Sequence, residues 1–386
     1  MKRSFNILIA AAAVVLGMMS CDKADELSTF GAGKAPVLSA SATAIAALPA
    51  DSNNTVQTFT WTYPDYATDS GNIKYSIEID SATKNFSSPL RKTVTAEQTL
   101  SFTAKELNAF LVNRLYAFNV PVSLEARVIS SYANNNERLV SNTVAFKVTP
   151  YKVPPKVGFP AGNKLWANGA ALPWSWTGAP PTPQSEFSRL NEETWGGVFN
   201  FNANEQFLVL SQNGGSNPYD QKYGVASNQV PDITSGGAFG YYPPGTGGDN
   251  FKSPASGGWY KMIMDFQSGL FTISNFGNPL PQELYILGDA TTGGWNNAPP
   301  APQKFTRINS VEYELTIALT PGKYYKFISN YGNWQPQFGG NSATGTTLSA
   351  NYGSSSDPDA VPTPAAAGNY KINVNFASNT YKVTPA

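Results

Sequence analysis

Trp176-Thr-Gly-Ala-Pro-Pro-Thr-Pro-Gln184 recurs along this chain as Trp295-Asn-Asn-Ala-Pro-Pro-Ala-Pro-Gln303. Each copy places a tryptophan just before a stiff proline segment. Two further pairs follow in the same order: Phe187-Ser-Arg-Leu190 with Phe305-Thr-Arg-Ile308, and Tyr260-Lys-Met-Ile-Met-Asp-Phe266 with Tyr370-Lys-Ile-Asn-Val-Asn-Phe376. Because self-similarity over such a length indicates one structural unit used twice, the second half of the chain is predicted to be a duplicated module.

The spacing between the copies changes along the repeat. It is 119 residues from Trp176 to Trp295 but only 110 residues from Tyr260 to Tyr370. The first copy therefore carries extra residues. We expect them in the Gly/Pro-rich stretch from Ser235 to Gly258, which we interpret as a long surface loop.

Composition limits the class of protein. The 26 Lys and Arg balance 26 Asp and Glu, so electrostatic capture of nucleic acid is not favoured. The sequence has no histidine and a single cysteine, so neither His-based catalysis, nor a His- or thiolate-bound metal, nor any cofactor is expected. With 13% aromatic residues, 29 Pro and 33 Gly, the composition is typical of many short strands and turns, which indicates an all-β protein.

The chain is predicted to hold three tandem β-sandwich domains. Between residues 35 and 151, period-2 runs alternate with turn residues, which favours an immunoglobulin or fibronectin III-like sandwich with Trp61 in its core. A one- or two-turn helix is expected from Ala104 to Leu111. The middle repeat is assigned to residues 156–276 and the C-terminal repeat to residues 282–386, with proline-containing linkers between the domains.

The N-terminus has the layout of an export signal. Two basic residues precede an apolar run from Ile7 to Met19, and Cys21 follows directly after Ser20. Residues 1–20 are predicted to be a signal peptide, Cys21 the lipidated residue, and 21–34 a lipidated tether. Acyl chains bury methylenes at about 0.8 kcal/mol each, so such an anchor holds a protein at a membrane without a transmembrane helix.

The C-terminal repeat contains several residues of the types that bind sugars. Sugar rings offer flat C–H faces for aromatic stacking and hydroxyls for hydrogen bonds. Trp295 and Trp334 are predicted to lie on loops and to stack on a glycan, and Tyr331 adds a third ring. Three polar side chains are proposed as hydrogen-bonding partners: Lys326, Asn330 and Gln337.

The middle repeat keeps part of this set. Trp176 matches Trp295, and aligning Lys222-Tyr-Gly224 with Gln337-Phe-Gly339 sets Tyr219 opposite Trp334. Trp176 and Tyr219 are therefore the predicted ligand platforms there. Four other tryptophans have no tryptophan at the matching positions of the last repeat and are either core residues or an enlarged surface: Trp166, Trp174, Trp195 and Trp259.

These residues resemble a known family. Leu284-Tyr-Ile-Leu-Gly-Asp-Ala-Thr-Thr-Gly-Gly-Trp295, Lys326-Phe-Ile-Ser-Asn-Tyr-Gly-Asn-Trp334 and Phe338-Gly-Gly340 are similar to the SusE/SusF outer-membrane lipoproteins that bind starch on the surface of Bacteroidetes. The resemblance implies a non-catalytic, lipid-anchored protein on the exterior of the outer membrane. It implies maltooligosaccharide or other α-glucan as ligand and a SusC/SusD-type transporter as partner. The middle repeat departs from the pattern, with Ala170 in place of Asp289 and Trp174 in place of Gly293.

Two other functions remain open from the sequence. Glycosidases also line their clefts with aromatic residues and need two carboxylates, for which Glu312 and Glu314 on one strand are candidates, but no enzyme is predicted. A structural or adhesive surface protein, or a protein that binds a non-starch glycan, is the main alternative. The C-terminal repeat is expected to be the better binder.

Overall fold

The computed structural model describes residues 33–66, 70–226, 236–353 and 356–386. The predicted signal peptide, Cys21 and nearly all of the predicted tether lie outside these residues. The chain divides into two compact units, Met1–Val153 and Pro154–Ala386, and the second unit holds both repeats. The three-domain division therefore stays a prediction. No helix in the described ranges has the length and apolar character needed to cross a membrane.

The N-terminal unit is built from two sheets. One has the strand order β1-β3-β6, and the other has the order β2-β9-β7-β4-β5 with β8 added to β7. The strands are β1 Leu38–Ala40, β2 Ala44–Ile45, β3 Thr55–Trp61, β4 Ile73–Ser81, β5 Leu90–Thr95, β6 Thr99–Thr103, β7 Val122–Tyr132, β8 Leu139–Val140 and β9 Val144–Val148.

Aromatic residues fill the core of the N-terminal unit. The ring of Phe59 packs edge-on against Phe102 and Phe146, with centroids 5.9 and 5.7 Å apart. Trp61 is 5% exposed and packs on Tyr75, which confirms its predicted core position. The predicted helix is present as α1, Ala104–Val112, and begins at a capping box between Thr103 and Glu106 that satisfies free N–H groups of its first turn.

The middle repeat consists of two five-stranded antiparallel sheets, ordered β10-β13-β14-β16 with β17 added to β13, and β11-β12-β18-β19-β15. Its strands are β10 Trp166–Asn168, β11 Ser188–Arg189, β12 Thr194–Phe201, β13 Gln206–Leu210, β14 Lys222–Gly224, β15 Gly237–Ala238, β16 Gly240–Tyr242, β17 Phe251–Lys252, β18 Gly258–Asp265 and β19 Leu270–Asn275.

The C-terminal repeat has the same plan, with orders β20-β23-β24-β26 plus β27 on β23, and β21-β22-β28-β29-β25. Its strands are β20 Tyr285–Leu287, β21 Thr306–Arg307, β22 Glu312–Leu319, β23 Tyr324–Ile328, β24 Gln337–Gly339, β25 Gly345–Thr347, β26 Ser349–Asn351, β27 Val361–Pro362, β28 Gly368–Asn375 and β29 Thr380–Pro385. Short 3-10 helices in the chain are Pro49–Asp51, Ser70–Asn72, Pro218–Asp220 and Ala301–Gln303. The prediction of an all-β, sandwich-based fold is confirmed.

One glycine position shows how closely the two repeats correspond. Gly169 and Gly288 adopt φ of 148° and 145°, each just after the first strand of its repeat. A Cβ on Gly288 would lie 2.5 Å from the Cα of Tyr325, and a Cβ on Gly169 would lie 2.4 Å from the Cα of Phe207. Only glycine allows this close approach of two backbones. The tryptophan-bearing loop therefore leaves the sheet at the same point in both repeats.

The predicted position of the extra residues is wrong. The offset between repeats is 115 at Lys222 and Gln337 but already 109 at Tyr242 and Asn351, which occupy the same place in the sheet. Most of the additional chain therefore lies between β14 and β15, before the predicted stretch. The stretch from Ser235 to Gly258 contains β15, β16 and β17 instead of being one long loop. Glycine and proline content alone did not reveal these very short strands.

Hydrogen bonds and apolar contacts join the two repeats at a junction. The hydroxyl of Ser188 donates to Glu312 Oε2 at 2.9 Å, and Asn375 Nδ2 donates to the same Ser188 oxygen at 2.8 Å. Val198 of the middle repeat is buried in the apolar core of the last repeat, and Trp259 packs against that core. Because these contacts cross between the repeats, Glu312 belongs to the junction and is only partly exposed.

Candidate functional site

Two loops of the C-terminal repeat carry the predicted stacking tryptophans. Trp295 lies between β20 and β21 and is 44% exposed, and Trp334 lies between β23 and β24 and is 42% exposed. The amide of Gly332 donates to the Asn297 carbonyl at 2.7 Å, and Asn297 Nδ2 donates to the Gly332 carbonyl at 3.1 Å. Each tryptophan is two residues from this link, within about 7 Å of chain. The two rings therefore share one end of the sandwich.

Tyr331 adds an aromatic surface beside this link. Its side chain is 60% exposed, and its ring centroid lies 5.6 Å from that of Tyr285 at a tilt of 57°. An open cavity of about 650 Å³ borders Tyr331 and Asn330 on the side of the linker from Pro279 to Glu283. This volume lies in the range of small-molecule sites, roughly 300–1,000 Å³.

A polar network lies on the first sheet of the same repeat. Lys326 Nζ donates to Gln337 Oε1 at 2.9 Å, and the amide nitrogen of Gln337 donates to Asp357 at 2.5 Å. Asn351 Nδ2 also donates to Asp357, at 3.0 Å. Hydrogen bonds from Asn351 and Gln337 and the nearby charge of Lys326 lower the pKa of the Asp357 carboxyl. A fixed carboxylate thus holds Gln337, which orients Lys326.

The loop of Trp334 is connected to this network. Gln335 Nε2 lies 3.4 Å from Asp357 Oδ1, and its backbone amide donates to Asn333 Oδ1 at 3.2 Å. Asn330 donates from Nδ2 to the Gln335 carbonyl at 3.1 Å, so its amide braces the loop. The structure therefore brings together six of the residues singled out in the sequence: Trp295, Trp334, Tyr331, Asn330, Lys326 and Gln337.

The middle repeat builds a smaller arrangement at the matching place. The rings of Trp176 and Tyr219 lie 6.4 Å apart at a tilt of 52°, and Trp176 is 41% exposed. The Tyr219 hydroxyl donates to the Thr177 carbonyl at 3.2 Å, and Asn168 Nδ2 donates to the same carbonyl at 2.8 Å. Gly214 donates to the Gly178 carbonyl at 3.1 Å, which repeats the link between Gly332 and Asn297. The structure thus places the two predicted platform residues, Trp176 and Tyr219, next to each other.

The four unmatched tryptophans divide into two kinds. Trp195 is fully buried and Trp166 is 9% exposed, so both are core residues. Trp174 is half-buried against the middle core and donates from its indole nitrogen to the Ala167 carbonyl at 3.1 Å. Trp259 is half-buried against the core of the last repeat. The last two therefore retain partly exposed rings.

Sequence reasoning missed the residues that hold the site rigid. The sequence did not place Asn168, Asn351 or Asp357 in a binding site. Their role depends on strand register: Gln337 pairs with Asn351 across β24 and β26, and Asn168 pairs with Leu208 across β10 and β13. Those pairings join positions far apart in sequence, and a short strand such as β26 gives almost no periodic signal.

The fold and these loops define a class: a multi-sandwich β-protein whose paired repeats carry partly exposed aromatic residues on loops. Residues 23–129 match the model of the SusE outer membrane protein family. This part of the chain is thus similar to the SusE outer membrane family, as the sequence indicated.

The chain also has a likeness to a solved structure. The solved structure of SusF from Bacteroides thetaiotaomicron is 14% identical, with a TM-score of 0.36, over 92% of this chain and 77% of that one. A search of curated proteins finds no match.

Proposed function

We propose that this protein is a non-catalytic, lipid-anchored glycan-binding protein of the bacterial cell surface. It captures a polysaccharide through aromatic platforms and passes it to a SusC/SusD-type transporter in the outer membrane. The match of residues 23–129 to an outer membrane family supports the location. The anchor rests on Cys21, which lies outside the described residues. An α-glucan such as starch is the first ligand to test, because the SusE/SusF resemblance implies it.

The observation that carries the proposal is the pair of half-exposed tryptophans on linked loops. Exposed indoles are costly on a surface unless something covers them, because each ring can bury roughly 150–250 Å². The hydrogen bonds between Gly332 and Asn297 fix the two loops before any ligand arrives. A preorganised platform loses little conformational entropy on binding, which favours affinity.

The expected strength of binding is modest. If a sugar covers half of an indole, that contact contributes about 2–3 kcal/mol before the cost of association. Two such platforms therefore predict dissociation constants on the order of 0.01–1 mM. This range suits a protein that must release a glycan to a partner.

The carboxylates of the last repeat support a non-catalytic role. Glu312 accepts hydrogen bonds from Ser188 and Asn309 at 2.9 and 2.8 Å and is committed to the junction. Glu314 pairs with Lys371 at 2.7 Å. A glycosidase needs two carboxyl groups facing each other across a substrate cleft. Release of reducing sugar from starch by the purified protein would overturn this part of the proposal.

Affinity electrophoresis against a panel of glycans tests the binding proposal. We expect one polysaccharide to retard the wild-type protein and retardation to disappear in the double variant Trp295→Ala, Trp334→Ala. Tyr324→Ala is the matched control, because Tyr324 is also an exposed ring, 51% accessible, at the far end of β23. Unchanged mobility on every glycan would favour the alternative of a structural or adhesive surface protein.

A further inference from the structure

A second cavity lies at the junction of the two repeats. It has a volume of about 300 Å³ and is lined by the half-buried indoles of Trp174 and Trp259 from the middle repeat and by Arg307 and Gln282 from the last repeat and its linker. Gln184, Asn200 and Gln282 on its rim are exposed, so the cavity opens to solvent. None of these residues belongs to the loops of Trp295 and Trp334.

The aromatic lining is specific to the junction. Trp259 lies opposite Asn200 in the pairing of β12 with β18, and the same place in the last repeat pairs Asn369 with Ala318. The position of Trp174 is Gly293 in the last repeat. The shared fold therefore does not require either indole. Trp174 already uses its N–H in a bond to Ala167, so it presents only its ring to the cavity.

Arg307 brings a positive charge to this cavity, and its guanidinium carbon lies 5.7 Å from the centroid of the Tyr313 ring. Its Nε donates to the Asn309 carbonyl at 3.1 Å and one terminal nitrogen donates to the Ser310 carbonyl at 2.7 Å. The remaining nitrogen, Nη1, lies 3.5 Å from Gln282 Oε1, at the limit of a hydrogen bond. Within the described residues no carboxylate pairs with Arg307, although burial of the guanidinium lowers its pKa.

Arg189, the matching arginine of the middle repeat, shows which hydrogen bonds of Arg307 serve the fold and which feature of Arg307 the fold does not require. Arg189 donates to the carbonyls of Asn191 and Glu192 at 3.1 and 2.8 Å, so clamping the following loop explains an arginine at both positions. Arg189 is exposed to water, whereas Arg307 is half-buried beside two indoles. A desolvated cation without a counter-charge is costly, and an anion that reaches it is strongly favoured.

We propose that the junction cavity binds a carboxylated sugar residue of a glycan, a hexuronate, with its ring against Trp174 and Trp259 and its carboxylate on Arg307 Nη1. The volume suits one small ligand. Guanidinium groups form strong charge-assisted hydrogen bonds to carboxylates, and indole faces accept the C–H face of a pyranose. The site is distinct from the linked loops of the last repeat, so each can fail without the other.

Titration of the intact protein with galacturonate and short oligogalacturonates, followed by tryptophan fluorescence and calorimetry, tests this site. Glucose and maltooligosaccharides serve as neutral probes. We expect saturable binding of the acidic sugars that weakens with added salt. Gln282→Glu places a carboxylate beside Arg307 and should weaken that binding at least tenfold, while Gln282→Asn should retain it.

A third variant removes one of the two indoles that line the cavity. Trp259→Asn installs the residue that the last repeat carries at this place, and it should also abolish the acidic-sugar response. Thermal unfolding confirms that each variant is folded. The site is refuted by equal responses to acidic and neutral sugars, by the absence of any acidic-sugar binding, or by full binding in Gln282→Glu. Retardation on a neutral glycan through Trp295 and Trp334 should be the same in all three junction variants.

Discussion

The two repeats share one strand order but distribute their polar residues differently. In the last repeat, β23 and β24 supply Lys326 and Gln337, and β20 contributes the apolar Leu287. In the middle repeat, β10 supplies Asn168 at the Leu287 position, and β13 contributes Leu208 where Lys326 stands. In this cross-strand pair the polar residue lies on the first strand of the middle repeat but on the second strand of the pair in the last repeat, while the strand order is unchanged.

The platform loops and the polar network therefore vary independently between the repeats. Both repeats keep the backbone link that follows the first tryptophan, between Gly214 and Gly178 in one and between Gly332 and Asn297 in the other. Among the described residues of the two repeats, only the last has a lysine held by a glutamine and a carboxylate. We therefore expect the repeats to differ in ligand preference as well as in affinity.

The largest expected effect is the loss of the platforms of the last repeat. Trp295→Ala with Trp334→Ala removes about 4–6 kcal/mol of stacking, so affinity for the preferred glycan should fall at least a hundredfold. Trp176→Ala with Tyr219→Ala should reduce it by no more than about tenfold, because the better site remains. Calorimetry with the same glycan measures both. Equal losses in the two double variants would contradict the ranking of the repeats.

The next effect concerns Glu312, which has no acidic counterpart in the middle repeat, where Thr194 occupies its place. Glu312→Ala leaves Ser188, which is 1% exposed, without an acceptor and removes the acceptor of Asn373, so we expect a loss of about 1–3 kcal/mol in stability. For a unit of this size that corresponds to a fall in Tm of roughly 2–10 °C by calorimetry.

Glu314 provides the control for that substitution. It lies on the same face of β22, and its pair with Lys371 is accessible to solvent, with side-chain exposures of 30% and 48%. Exposed ion pairs contribute about 0–1 kcal/mol. Glu314→Ala should therefore shift Tm by much less than Glu312→Ala, and a similar shift would show that the junction bonds add nothing.

A smaller effect is expected at Lys326, whose side chain is only 15% exposed. Lys326→Leu installs the residue of the middle repeat and removes one charged donor, which should weaken glycan binding about three- to tenfold with little change in Tm. Lys323→Leu is the control, because Lys323 is 48% exposed and lies beside Asp289. If Lys326→Leu binds as well as the wild type, Lys326 does not contact the ligand.

The smallest effect is a change with pH. The pKa of Asp357 lies below its usual value of 3.8, so the carboxylate supports the network at pH above that value and loses this role as pH falls through the lower folded-state pKa. Binding should therefore be flat from about pH 7 to about pH 4 and decline below. Asp357→Asn should remove the acid limb, and an unchanged profile would exclude Asp357 from the site.

The sequence predicts the longer strands of the fold because their residues alternate with period 2. The run from Lys74 to Asp80 alternates with period 2, and it lies in β4. Strands of two or three residues, such as β15 and β26, show no such period and were missed. Loop tryptophans are visible in sequence because they follow glycine-rich turns. The sequence does not reveal the carboxylate that organises the network, because Asp357 reaches Gln337 only through tertiary folding.

The junction between the repeats has a consequence for long ligands. The bonds from Ser188 to Glu312 and Asn375, with Val198 in the neighbouring core, hold both repeats in one compact unit, so the distance between the two aromatic pairs is set by the protein. A glycan that reaches both pairs meets the second at a high effective concentration without ordering a hinge. Chain length and stiffness of the polymer, more than the sugar unit alone, then become a basis for selection.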